Sequence, residues 1–167
     1  PDRKIRVRDF KIGCVGAGFI MADVHLASYA QAKFPVVAIA SRTKANAAKV
    51  AKRWGIETVH DTPEALIEDA QIKILDIAFP PDQQPDLVRF ACQQPHIKGI
   101  LVQKPMAMNH ADARVIVEAC AVAGKAPKAP GRARGNVVVA DPAARVQLWA
   151  EVAPDGSFRL APVPVGT

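Results

Sequence analysis

The chain has 167 residues, half of them hydrophobic and 23% charged, with a formal net charge of +6. That length holds one domain with a real core and leaves no room for two complete ones. The composition excludes a disordered chain, and no apolar run approaches the twenty or so residues that span a bilayer.

Residues 1–9 form a basic extension (Arg3, Lys4, Arg6, Arg8) with no apolar core behind it, so it does not read as a signal peptide. A strand is expected over about Lys11–Val15, breaking at Gly16-Ala17-Gly18 into a helix over about Phe19–Ala32. Val36–Ala40 reads as a second strand. Its helix, capped by Ser41 or Thr43, runs to Trp54 and stops at Gly55. A short strand at Glu57–Val59 precedes Thr62-Pro63-Glu64, which supplies a cap, a proline at the first helical position and an acid in the first turn of a helix to about Asp69. The fourth strand, Ile74–Ala78, ends in Phe79-Pro80-Pro81, whose prolines delay the next helix to about Asp82–Gln93. The fifth, Ile100–Val102, runs into Gln103-Lys104-Pro105, and a last helix over about His110–Ala123 takes Asn109 as cap and Gly124 as stop.

Strands alternating with helices predict an α/β fold, a doubly wound, mostly parallel sheet covered by helices on both faces. Ligands of such sheets sit beyond the strand C-termini. Gly16-Ala17-Gly18, Ser41-Arg42, Phe79-Pro80-Pro81 and Gln103-Lys104-Pro105 all fall there.

After this domain, residues 10–125, the character changes. Residues 126–135 form a basic Pro/Gly linker, and residues 136–167 read as a β-rich tail, partial or foreign to the domain before it, with a hairpin about Pro154-Asp155-Gly156. Asn136–Ala140 is the tail segment best suited to extend the first sheet.

A strand, a glycine turn and a helix N-terminus gather backbone N–H groups and a positive dipole end at one point, which suits a pyrophosphate. Gly16 makes the turn and Gly18 lets the backbone approach, with Ala17, Phe19 and Ile20 around them. Met21 stands where the G-x-G-x-x-G pattern has its third glycine. An ordinary strand-to-helix turn is the plainer alternative. About twenty residues on, where an acid would bind the ribose of NAD, the chain has Ser41, Arg42, Thr43 and Lys44. Hydroxyls and cations suit a 2′-phosphate, so the local chemistry tilts toward NADP over NAD.

Lys104, held extended by the following proline, is the candidate catalytic residue, and its cation could orient a substrate hydroxyl. Gln84 is a candidate wall of the nicotinamide side. His25, on the first helix, could face the cofactor pocket but reads more readily as a packing residue, and the Asp61/Glu64 and Glu68/Asp69 acids as solvated helix ends. The scattered histidines offer no metal-ligand spacing. Cys14, Cys92 and Cys120 read as reduced thiols, which favours a cytoplasmic protein. The positive charge calls for an anionic partner. With one Tyr and two Trp the chain has few stacking platforms, which favours a nucleotide over nucleic acid.

The run IGCVGAGFIMADVHLASY together with VVAIASR, LDIAFPPDQQ, GILVQKPMA and ADARVIVEACAVAGK resembles the N-terminal domain of the glucose–fructose oxidoreductase and inositol dehydrogenase (Gfo/Idh/MocA) family. The resemblance covers about residues 10–125. It implies a Rossmann domain that binds NAD or NADP in an oxidoreductase acting on sugars or polyols. Gly16 and Gly18 would then line the pyrophosphate, Ser41 and Arg42 the adenosine ribose, and Phe79, Pro80 and Pro81 the nicotinamide side. Lys104 matches the lysine of the family's Glu-Lys-Pro motif, with Gln103 in place of the glutamate. Family members continue into a large α+β substrate domain, which no segment after Gly124 resembles. The chain therefore reads as a cofactor domain incomplete as a catalyst, which could form a homo-oligomer. The alternative is an inactive nucleotide-binding module with an interaction tail.

Overall fold

A computed structural model of the chain describes residues 9–123 and three later strands at 139–141, 146–152 and 158–162. The apolar runs form β1 (Ile12–Val15), β2 (Val36–Ala40), β3 (Thr58–Val59), β4 (Ile74–Ile77) and β5 (Gly99–Val102). They pair in parallel in the order β3-β2-β1-β4-β5, so the chain reverses direction across the sheet between β1 and β4. Ligand crevices form at such a reversal.

Between strands lie α2 (Lys44–Trp54), α3 (Pro63–Glu68), α4 (Gln84–Cys92) and, after β5, α5 (His110–Ala123). Helix α1 differs from the expected regular helix. It opens as a π-helix over Ile20–His25 and becomes α-helical over Leu26–Ala32. Single π turns are frequent at functional sites.

Alternation along the strands divides the core in two. Ile12 and Cys14 of β1 face α1 and α2 with Met21, Leu26, Ile39, Ala47 and Ala51, whereas Val15, Leu75 and Ile77 face α3, α4 and α5 with Leu66, Ile67, Val88 and Ile116. A Cβ on Gly13 would lie 2.8 Å from Leu66 Cδ2 and 3.0 Å from Ile72 Cγ2. Gly13 is thus a packing glycine that lets α3 approach β1. Met21, fully buried among the α1-face residues, fills with a side chain the contact that a third glycine would leave to backbone.

Local signals fixed most helix ends. The Thr62 hydroxyl accepts from the Ala65 N–H at 3.1 Å with Pro63 in the first turn, and Asn109 Oδ1 accepts from the Asp112 N–H at 2.9 Å. Thr62→Ala is expected to lower stability by about 1 kcal/mol in urea denaturation, the usual worth of such a cap. At α2 the cap residue is Thr43, but its hydroxyl makes no capping bond.

Cys92 of α4 and Cys120 of α5 meet with sulfurs 3.7 Å apart, as free thiols, while Cys14 is buried alone in the sheet. Among the described residues no helix is long and apolar enough to cross a membrane, and no three His, Cys, Asp or Glu side chains cluster to hold a metal.

The later strands, β6 (Val139–Asp141), β7 (Val146–Val152) and β8 (Phe158–Pro162), form a separate antiparallel sheet in the order β6-β7-β8. Val139–Asp141 pairs with β7 and does not extend the first sheet, which corrects the expectation for Asn136–Ala140. Residues 1–8 of the basic extension, the linker, the Gly124 stop and the Pro154-Asp155-Gly156 turn lie outside the described residues.

Candidate cofactor site at the strand C-termini

The turn after β1 is built around Gly16, whose φ of +119° is open to glycine and strained for other residues. A Cβ there would lie 2.2 Å from the Ala78 carbonyl oxygen. The Gly16 N–H donates to the Ala40 carbonyl at 2.8 Å, and the Ala78 N–H donates to the Val15 carbonyl at 2.9 Å. The ends of β1, β2 and β4 are thereby tied into one ledge.

Gly18 is the opposite case. A Cβ on it would meet nothing within 4 Å, so its bare backbone borders open space. Beside it α1 begins at the cap residue Phe19 with no side-chain capping bond. Initial N–H groups of a helix have no partner within it. An uncapped helix start next to a glycine facing open space fits a pyrophosphate, and Gly16, Gly18 and the α1 N-terminus are the groups that would hold one. Phe19 and Ile20 are 71% and 37% exposed at the rim, and Ala17 packs inward against the α1-face core.

At the end of β2, Ser41 is half-buried and Arg42 exposed. Lys44, expected to share a ribose-side phosphate, forms an exposed ion pair with Asp61 after β3, and the Lys44 ammonium holds the Asp61 carboxyl below its usual range. The acids read as solvated helix ends divide. Asp61 is exposed, while Asp69 is mostly buried and accepts from His60 Nε2 at 3.2 Å.

At the end of β4, Phe79 packs on the α4-face core and the Pro80 carbonyl accepts from the Gln83 and Gln84 N–H groups at 3.0 and 3.2 Å. Pro81 is half-buried beside it. The turn delivers Gln84, 1% exposed, beneath the segment after β5. There its Nε2 reaches the carbonyls of Gln103, Pro105 and Met106 at 3.1, 2.8 and 3.2 Å. Gln84 thus clamps the backbone that carries Lys104, a different task from the nicotinamide wall expected of it. Lys104 is exposed and joined to Pro105 by a cis peptide bond.

One constellation escaped the sequence reading. Asp76, fully buried in the middle of β4, accepts at Oδ2 from the Tyr29 hydroxyl at 2.7 Å and from His25 Nδ1 at 2.8 Å. Its Oδ1 has no hydrogen-bond partner. His25 Nε2 lies 3.0 Å from Gln103 Nε2, and Gln103 Oε1 accepts from the Lys104 N–H at 2.7 Å. Burial, then the Asp76 charge and hydrogen bond, raises the Tyr29 phenol far above its usual value, so it stays a donor. The hydrogen bond to Asp76 raises His25, against partial desolvation. Burial first and the Asp76 charge second likewise push up the Cys14 thiol. A lone acid in the apolar run ILDI, with His and Tyr four apart on one helix, was the available signal.

Comparison with known proteins agrees with this geometry. The profile of an oxidoreductase family with an NAD-binding Rossmann fold matches residues 10–127. A D-apiose dehydrogenase of Paraburkholderia graminis is 30% identical over 121 residues, 71% of this chain and 31% of that protein. Among solved structures, an NAD-binding oxidoreductase from Klebsiella pneumoniae superposes with a TM-score of 0.63 at 26% identity, covering 70% of this chain and 32% of the other. A 3-ketoreductase from Actinomadura kijaniata in complex with NADP and TDP-benzene shares the fold at 24% identity, with a TM-score of 0.61, covering 70% and 35%. The chain spans about a third of the length of these relatives. With its β3-β2-β1-β4-β5 sheet and glycine ledge, the chain belongs to the Gfo/Idh/MocA oxidoreductase family, whose NAD-binding Rossmann domain occupies residues 10–127.

Proposed function

We propose that the chain is the cofactor-binding part of an NAD(P)-dependent oxidoreductase that moves a hydride between the nicotinamide and a carbinol or carbonyl carbon of a sugar or polyol. The observation that carries the reading is the contrast between the two glycines. Gly16 is required by backbone it would otherwise strike, whereas Gly18 is required by nothing in the chain and opens onto free space at the start of α1. A bound dinucleotide accounts for a bare backbone there.

The remaining parts follow from the same edge of the sheet. Gly16, Ala17, Gly18, Phe19 and Ile20 surround the pyrophosphate, and Ser41 with Arg42 receives the adenosine ribose. Phe79, Pro80 and Pro81 bound the nicotinamide side, while Gln84 and Gln103 hold the Lys104-Pro105 segment in place. When bound, the nicotinamide supplies the hydride or accepts it at C4. Lys104, exposed at the mouth of the crevice, orients the substrate hydroxyl and offers its cation to the oxygen that gains charge. The proton that leaves or joins that oxygen needs a general acid or base. Among the described residues no carboxylate or imidazole is hydrogen-bonded or ion-paired to Lys104, and His25 reaches it only through Gln103. A sugar-like substrate is thus turned over only with groups from a substrate domain.

The cation and hydroxyl after β2 favour NADP over NAD. Arg42→Ala is expected to weaken NADPH binding about tenfold, the loss of one charge-assisted phosphate contact, and to leave NADH nearly unchanged. Titrating both nucleotides against the purified chain by reduced-nicotinamide fluorescence tests the whole reading. Absence of saturable binding of either would overturn it.

A further inference from the structure

The hydrogen bonds between Asp76 and Lys104 assign their own proton positions. The Lys104 N–H can only donate, so the Gln103 atom 2.7 Å away is its carbonyl oxygen, which leaves the Gln103 NH2 facing His25 Nε2 at 3.0 Å. An NH2 group also only donates. His25 Nε2 must therefore accept, and the ring is neutral with its proton on Nδ1, where it donates to Asp76 Oδ2 at 2.8 Å. The Tyr29 hydroxyl donates to the same oxygen at 2.7 Å. The chain of donors and acceptors has one consistent direction.

A second proton on the ring breaks that consistency. Nε2–H would point at the Gln103 NH2, donor against donor. The amide can accept it only by turning over, and then its NH2 confronts the Lys104 N–H. One of the two contacts must be lost.

The surroundings bring this conflict within reach of ordinary pH. Besides Asp76 from β4, the ionisable groups around the ring are Tyr29 one helical turn on, Cys14 of β1 behind Asp76, and Lys104 beyond Gln103. Tyr29 and Cys14 both stay neutral. Asp76 thus sets the balance, drawing a proton toward a ring that is 15% exposed and so open to exchange with water.

We propose that His25 is a positioning residue for Lys104, whose backbone N–H it holds through Gln103 while neutral and releases on taking up a proton. Gln103 is the transducer because an amide, unlike a carboxylate, cannot accept from both sides through one oxygen pair. The importance of this tie for chemistry rests on the proposed function. The tie itself does not.

The test is nuclear magnetic resonance on the full, nucleotide-free chain. Long-range proton–nitrogen spectra are expected to show the Nδ1–H tautomer of His25 at high pH. The ring and the Lys104 amide are expected to titrate together, with a shared midpoint above the ordinary imidazole value of 6.5. Gln103→Glu gives both Nε2–H and the Lys104 N–H a carboxylate acceptor. Its His25 midpoint should rise by about one pH unit or more, a tenfold gain in proton affinity, and its Lys104 amide should become flat through neutral pH. His25→Gln should abolish the Lys104 titration, and the glutamate variant keeps the test decisive if that protein fails to fold. The Nε2–H tautomer, a Lys104 amide that ignores the His25 midpoint, or an unchanged midpoint in Gln103→Glu would overturn the proposal. A chain that shows the joint titration yet binds no NADH or NADPH supports this inference while overturning the proposed function.

Discussion

Gly18→Val is expected to leave the fold intact and to weaken NADPH binding by at least about 100-fold, or roughly 2.7 kcal/mol. A Cβ at this position meets no atom within 4 Å and the backbone there is not in the left-handed region, so the free chain has room for the branch point. The side chain would occupy the space in which the backbone and the start of α1 receive a pyrophosphate, displacing the charge from N–H groups that have no other partner. Gly16→Ala should behave in the reverse way. At φ +119° and 2.2 Å from the Ala78 oxygen, a methyl group must push apart the β1 and β4 ends, which we expect to cost about 3 kcal/mol or more before any nucleotide is added. Thermal melts separate stability from affinity for both variants. Unchanged NADPH affinity in a folded Gly18→Val protein would sink the assignment of the glycine turn as a phosphate site.

That contrast between neighbouring glycines was only half legible in the sequence. The strand–turn–helix order around Gly16 and Gly18 could be read because apolar runs and breakers are local signals, and the starts of α3 and α5 followed from Thr62-Pro63 and Asn109 in the same way. Whether a glycine faces protein or open space is a tertiary fact. Gly13, Gly16 and Gly18 look alike in the sequence, yet the first accommodates Leu66, the second avoids a carbonyl and the third borders the crevice.

Contacts across the sheet were the part that escaped. Asp76 sits in an apolar strand, where the unpaired charge is costly, and that cost is a readable hint that partners exist. Naming them required knowing which face of α1 turns inward. Its π opening rotates His25 and Tyr29 relative to a regular helix, so 3.6-residue counting from Gly18 does not place them. Lys44 illustrates the same limit on the surface. Its spacing after the glycine turn suggested a phosphate, but its partner Asp61 arrives from the far side of α2, through the short strand β3.

Gln84 carries the second large expectation, because its amide nitrogen is the shared donor for the carbonyls of Gln103, Pro105 and Met106 while being almost wholly buried. Gln84→Met removes that donor and also the partnerless Oε1, so the loss of stability should stay at about 1–3 kcal/mol. Gln84→Glu preserves the shape and inverts the chemistry, setting a carboxylate against three carbonyl oxygens where water does not reach. We expect it to cost about 3 kcal/mol or more at pH 8, exceeding the methionine variant despite its closer likeness to the native residue. The pH dependence has a definite sign. Burial among acceptors raises the glutamate's pKa in the folded state above its unfolded value of about 4.3, so the penalty is complete above the folded pKa and shrinks as pH falls toward 4.3. Protonation also returns a donor, an O–H, to the carbonyl cluster. Urea denaturation of both variants at pH 8 and pH 5 reads the difference, and a Gln84→Glu protein as stable as the native chain at pH 8 would show that this amide does not hold the Lys104 segment.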